Sequence, residues 1–211
     1  MSVKKDTYKI QAQTIIKNLA RRNMEGFYCD TKEDAVKKAL EIMEKGSVIA
    51  WGGSESIKEC GLMEAISDGS YELIDRTKAV TPDEQRKLYA SIVMSDYYLM
   101  STNAITLEGE LVNIDGNGNR VAALIHGPAH VLIIAGMNKV TADVESGYKR
   151  VKEAACPPNA VRLKKEIPCA LTGCCADCLA PQCFCNQIVV TRRSGHEGRI
   201  KIILVGEGLG Y

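Results

Sequence analysis

The sequence predicts an α/β fold: a mainly parallel sheet with a β-hairpin inserted into it. Three observations carry this reading. Stretches with helical spacing of apolar residues alternate with short apolar runs such as SVIAW and HVLIIAG, which fit buried strands. Turn-forming residues follow those runs directly, as Gly52-Gly53-Ser54 follows SVIAW. The alternation lapses over 104–125, where Glu108-Gly109 and Asp115-Gly116-Asn117-Gly118 are turn signals inside AITLEGELVNIDGNGNRVAAL. A chain of 211 residues can bury a real core, and one domain over 1–211 with a cysteine-rich loop at about 168–186 is expected.

Each element follows from local chemistry. Residues 6–25 read as an amphipathic helix with Ile10, Ile15, Ile16 and Leu19 near one face, and Phe27–Cys29 as a short strand. Thr31-x-x-Asp34 opens a second helix that buries Ala35, Val36, Ala39, Leu40 and Met43 and stops at Gly46. The strand at 47–51 leads into a helix over Glu55–Ser67, and YELID at 71–75 is the next strand. Thr81-Pro82-Asp83-Glu84 is a strong helix start, with a capping Thr, Pro at the first turn and Glu three residues on; that helix runs to about Met94. Tyr97–Ser101 is a strand, then comes the hairpin, then a buried strand at 130–136 and a helix over Thr141–Ala155. QIVVTRR and RIKIILV, on either side of Ser194-Gly195-His196-Glu197-Gly198, are expected to pair as a terminal hairpin.

Composition excludes several function classes. Lys plus Arg number 27 against 26 Asp plus Glu, so there is no electrostatic funnel for nucleic acid, and ten aromatics besides Trp51 make no stacking platform. No apolar stretch approaches a membrane span, and MSVKKDTYKIQAQTIIKNLARRN lacks the apolar region of a secretion signal. A cytoplasmic location with reduced thiols is therefore expected. Neither a P-loop nor a G-x-G-x-x-G fingerprint occurs, so no nucleotide cofactor is expected.

A small-anion site is expected at the carboxyl ends of the strands. Gly52, Gly53 and Ser54 join a strand to a helix, where backbone N–H groups favour an anion, although the same residues make an ordinary tight turn. Thr102 and Asn103 follow another strand, and Asn113 and Asp115 lie on the hairpin; Asn117 and Asn119 suit the turns themselves. Glu108, a carboxylate beside a glycine, is the general acid/base candidate. His126 and His130 bracket Gly127-Pro128 and read as turn residues, and Lys139 as a solvated loop lysine.

Six of the nine cysteines fall between 169 and 185, in a stretch broken by Pro168, Gly173 and Pro181. Cys169, Cys175, Cys178 and Cys185 are spaced C-x5-C-x2-C-x6-C, four thiolates for Zn²⁺, which takes sulfur at about 2.3 Å, or for an iron–sulfur cluster. Cys174 and Cys183 are then spare thiols. The alternative is a loop of free thiols without metal.

STNAITLEGELVNIDGNGNRVAAL resembles the signature of the LUD-domain family, in the lactate-utilisation protein C group. WGGSESIKECGL, GMNKVTADVESGYKRVKEAACPPNAVRL, PCALTGCCADC and GRIKIILVGEGLGY are similar to its other blocks, so the likeness spans about 6–211. The resemblance implies a Rossmann-like sheet similar to the sugar-phosphate isomerase and CoA-transferase superfamily. It also implies a part in oxidising L-lactate to pyruvate beside iron–sulfur partner subunits, with Cys169, Cys175, Cys178 and Cys185 matching the family's cysteines. The leading expectation is a lactate-utilisation component with a pocket for a small anionic substrate. Its rivals are a non-catalytic assembly subunit and a stand-alone isomerase or transferase for a phosphorylated or CoA-linked substrate.

Overall fold

The computed structural model describes residues 3–211. Helix α1 (Val3–Arg21) buries Ala12, Ile15 and Leu19, while Ile10 is turned to solvent at 65% exposure. Strand β1 (Glu25–Cys29) follows, then α2 (Lys32–Ile42), whose first turn is capped by Thr31 Oγ1 accepting from Asp34 N at 3.2 Å. After β2 (Val48–Trp51), the helix expected over 55–67 is two short ones, α3 (Glu55–Glu59) and α4 (Leu62–Ala65), broken where Gly61 takes φ +84°. Strand β3 (Glu72–Ile74) precedes α5 (Pro82–Val93), where Thr81 and Glu84 cap each other's backbone N–H as the sequence predicts. Strands β4 (Tyr97–Met100), β5 (Ala104–Thr106) and β6 (Leu111–Asp115) follow. The rest of the segment expected as hairpin is a helix, α6 (Asn119–Ile125). Beyond β7 (His130–Gly136) and β8 (Val140–Thr141), α7 (Val144–Arg150) runs through a π-helical turn at Val151–Ala155 into α8 (Cys156–Arg162). The π turn has a local cause. Pro157 and Pro158 have no N–H to close α-type bonds, and the Cys156 N–H bonds to the Val151 carbonyl instead. A short α9 (Pro168–Thr172) opens the cysteine-rich stretch, and β9 (Gln187–Thr191) and β10 (Ile200–Val205) follow it.

Six strands form a parallel sheet in the order β1-β10-β7-β4-β2-β3. Alternate residues along each strand feed two cores. Val131, Ile133, Ile202 and Leu204 meet α1, α5 and α6 on one face; Leu132, Ile134, Ile203 and Val205 meet α2, α3 and α4 on the other. A second sheet, β8-β5-β6-β9, contains the expected antiparallel β5–β6 hairpin. It lays Ile105 and Leu111 on the first core and Ala104 and Val112 on the helix that runs from α7 to α8.

The expected terminal hairpin does not form. β9 pairs antiparallel with β6, whereas β10 lies between β1 and β7 in the main sheet. The reason is burial: β10 is apolar toward both faces and suits the centre of a parallel sheet, while β9 alternates and can cover only one side.

Candidate functional site

The carboxyl ends of β2, β4 and β7 open onto a cleft of about 610 Å³, floored by the segment after β10 and walled by the second sheet and the cysteine-rich arm. Gly53, Ser54, Thr102, Asn103 and Asp115, all singled out in the sequence, line it. Gly52 lies behind Gly53, where an added Cβ would come within 3.0 Å of Tyr98 Oη. Asn113 is fully buried beneath the cleft. Ser54 is occupied with capping: its Oγ accepts from Ile57 N at 3.4 Å, and α3 is only one turn long.

Arg120 organises this wall. Its Nη1 donates to Asn113 Oδ1 at 2.5 Å; its Nη2 donates to Asn103 Oδ1 at 3.0 Å and to the Ile114 carbonyl at 2.8 Å. Its Nε lies 3.2 Å from Asp115 Oδ2, and Asp115 Oδ1 accepts from Gly118 N at 2.9 Å. A buried guanidinium is tolerated here because its donors are matched and a carboxylate is paired with it. Asn103, Asn113 and Asp115 therefore hold the wall's shape, with Arg120 as their common partner.

Sequence reasoning missed the cations of the cleft. Lys139 is not a solvated loop residue: it is 3% exposed, and its Nζ donates to the Tyr211 main-chain oxygen at 2.8 Å. No Asp or Glu side chain among the described residues forms an ion pair with it, and the Tyr211 main-chain oxygen is its hydrogen-bond acceptor. Burial, reinforced by the nearby Arg150 and Arg120 guanidinium groups, lowers its amine to about 7, with Glu59 opposing. It is buried because the segment after β10 folds back over it. Gly210 (φ +58°) leaves no room for a side chain, since a Cβ there would lie 2.7 Å from Ser56 Oγ, and its N–H donates to Glu59 Oε2 at 2.6 Å. Arg76 reaches over Gly53, its Nη1 3.5 Å from where a Cβ would sit. Arg162 donates to Tyr211 Oη at 2.6 Å and to Asn159 Oδ1 at 2.7 Å, and its Nη1 lies 3.6 Å from Glu55. Tyr98, beneath Gly52, is pushed up to about 12 by burial and stays protonated.

Glu108 does not reach the cleft. It sits at the β5–β6 turn, the end of the hairpin away from Asn103 and Asn113, beside a separate cavity of about 180 Å³ lined with Arg21, Arg22, Arg192 and Arg193. Arg22 Nε donates to its main-chain carbonyl at 2.6 Å. The histidines join no site either: His130 opens β7 and stacks on Tyr97 with ring centroids 5.1 Å apart, and His126 caps α6.

Of the expected four-ligand set, Cys175, Cys185 and Cys178 all lie near enough to Cys169 to act on its thiol. Cys169 is buried on α9 against Ala160 and Ile167, and burial pushes its thiol up. Cys175 Sγ accepts from Asp177 N, and Cys183 Sγ from Cys185 N, each at 3.5 Å. Cys185 lies 3.5 Å, sulfur to sulfur, from Cys156, which the sequence reading left out of the cluster. Among the described residues, no group of three or more His, Cys, Asp or Glu side chains is placed to hold a metal ion.

No helix among the described residues is long and apolar enough to cross a membrane. No curated protein matches the chain. Over 97% of its length and 99% of the other's, the chain is similar in fold to the crystal structure of a DUF162-family protein from Deinococcus radiodurans, with a TM-score of 0.50 and 16% identity. That likeness agrees with a Rossmann-like α/β fold. The LUD domain profile matches residues 12–205, nearly the whole structure just described. With the STNAITLEGELVNIDGNGNRVAAL segment forming the wall of the cleft, the chain belongs to the LUD-domain family, which is associated with lactate utilisation.

Proposed function

We propose that this chain is a lactate-utilisation component that holds a small carboxylate, L-lactate or its product pyruvate, in the cleft at the carboxyl ends of β2, β4 and β7. In this reading it supports oxidation of lactate beside iron–sulfur partner subunits. One observation carries the proposal: Lys139 is a buried amine with no Asp or Glu side chain paired to it, opening on a cleft that Arg76 and Arg162 also line. A buried charge is costly, and two guanidinium groups nearby add to that cost, so an anionic ligand beside the amine supplies favourable counter-charge. Binding a carboxylate beside the amine draws its titration back up from about 7, so a proton is taken up on binding near neutral pH. In this reading the same amine, titrating near neutral pH, exchanges a proton with a bound hydroxy acid, the role expected of Glu108.

A second reading is favoured by size. A cleft of about 610 Å³ is in the range that holds a drug-sized ligand, far more than a three-carbon acid fills. A phosphorylated or CoA-linked substrate would use that volume, as a stand-alone isomerase or transferase requires.

Calorimetric titration of the purified chain with L-lactate, pyruvate, sugar phosphates and CoA distinguishes the readings. Saturable binding of either acid, lost in Lys139→Met, supports the first; binding of only the larger ligands supports the second. Titrations in which neither acid binds, whatever residue stands at 139, reject the lactate reading.

A further inference from the structure

Cys156 and Cys185 are distant in sequence, yet their sulfurs are in contact at 3.5 Å. Each is held there by rigid neighbours. The π turn before α8 fixes Cys156, whose N–H is bonded to the Val151 carbonyl. Cys185 is pinned from both sides. Phe184 packs against the cluster that contains Val151, Ala155 and Cys156, and it approaches Gly116 so closely that a Cβ on that glycine would come within 2.9 Å of the Phe184 Cβ. Asn186 N donates to the Asp115 carbonyl at 3.1 Å, and its side-chain amide donates to the Gly116 carbonyl at 2.9 Å. The contact therefore joins the helix on one side of the cleft to the cysteine-rich arm on the other. Cys156 lines the cleft, so a small molecule entering it reaches one sulfur of the pair; Cys183, two residues before Cys185, also lines it.

Cys183 and Cys178 lie beyond Cys185 along the arm, and among the described residues no three or more ligands converge on one point that could hold a metal ion. The two sulfurs in contact are enough for a disulfide, which needs a rotation of the side chains to shorten the contact to about 2.05 Å. We propose that Cys156 and Cys185 are a redox pair, a dithiol that a small disulfide such as oxidised glutathione converts reversibly to an intramolecular disulfide. One thiolate attacks a sulfur of the oxidant, breaking its S–S bond and releasing one small thiol. The second attacks the mixed disulfide at the protein sulfur and releases the other. Two protein S–H groups are replaced by one S–S bond, and the oxidant leaves as two thiols carrying both hydrogens and the electron pair. Oxidation staples the arm over residues 181–186 to the helix from α7 to α8 and fixes one wall of the cleft. The pair works independently of which anion the cleft takes.

The test uses the full chain, purified anaerobically, exposed to graded ratios of oxidised to reduced glutathione, alkylated and digested with chymotrypsin. Cleavage after Phe184 separates Cys185 from Cys183 and the cysteines before it. The expected result is an intact mass lower by two hydrogens with no glutathione adduct, a peptide containing Cys156 linked to one containing Cys185, and reversal by dithiothreitol. In Cys185→Ser the link disappears. Because Cys156 is buried, Cys156→Ala is checked for folding by circular dichroism, and the mapping of the unmodified chain decides without it. Three results overturn the proposal: links confined to Cys174, Cys175, Cys178 and Cys183; glutathione adducts that never resolve; or stoichiometric zinc or iron that shields Cys185 until chelated, which makes it a metal ligand.

Discussion

Replacing Lys139 with methionine separates what the buried amine costs the fold from what it does for the cleft. Methionine nearly matches the lysine stem in volume and carries no charge. The amine titrates at about 7 in the folded chain and at its ordinary 10.5 when unfolded. With the folded value depressed, the full penalty applies below pH 7, where both states are protonated. Between pH 7 and 10.5 the unfolded chain binds the extra proton, so stability rises with pH; above 10.5 the penalty is gone. At pH 7 the penalty removed is about 4 kcal/mol, at 1.36 kcal/mol per unit of pKa. Methionine also leaves the Tyr211 oxygen without its 2.8 Å donor, a loss of about 1–3 kcal/mol. A net gain of about 2 kcal/mol is expected at pH 7, raising Tm by about 4–8 °C for a chain this size. The gain shrinks toward pH 10 and reverses beyond it. Urea and thermal unfolding followed by circular dichroism from pH 6 to 10 read this directly, with pyruvate binding measured on the same samples. A Lys139→Met chain less stable than the original at pH 7, with an unchanged slope against pH, would refute the depressed amine. Retained pyruvate affinity would remove Lys139 from the site.

Arg120→Met leaves Asp115 buried without its cation and frees four acceptors of the cleft wall, so a loss of about 3–5 kcal/mol is expected in urea denaturation; a loss under 1 kcal/mol means the network is not what holds the wall. Gly210→Ala forces a side chain into a left-handed position 2.7 Å from Ser56 Oγ, costing about 1–2 kcal/mol from the backbone alone. It should weaken anion binding by displacing the segment over Lys139, and an unchanged isotherm contradicts that. Glu108→Gln should leave binding in the large cleft unaltered, because Glu108 borders a different cavity; a large drop in affinity would return Glu108 to the site.

Local chemistry made much of this architecture readable. The apolar runs of β2, β4 and β7 are strands, and the Thr81 and Glu84 caps form the reciprocal bonds their spacing requires. Because ligands gather past the carboxyl ends of parallel strands, the sequence already points Gly53, Ser54, Thr102 and Asn103 to one cleft. Partner choice was harder. An apolar run announces a strand but not its neighbour, although the two-sided burial of Ile200–Val205 against the alternation of Gln187–Thr191 was a usable sign that they part company. Lys139 was misjudged because its burial depends on residues some seventy positions away folding over it, which no local window contains. Cys156 was overlooked for the same reason: it lies outside the dense cysteine segment and meets Cys185 only through packing around Phe184.

The position of β10 also bears on how the chain reaches this structure. β1 has β10 as its strand partner in the main sheet, and β10 separates it from β7. During synthesis β1 and the helices beside it must therefore wait, with an unpaired edge, until every strand from β2 to β10 has emerged. Loop closure over that span is slow, and an exposed strand edge is prone to mispairing in the meantime. Truncation within β10 should thus cost the whole main sheet rather than one edge of it, and refolding should show β1 amides protected only in the final phase.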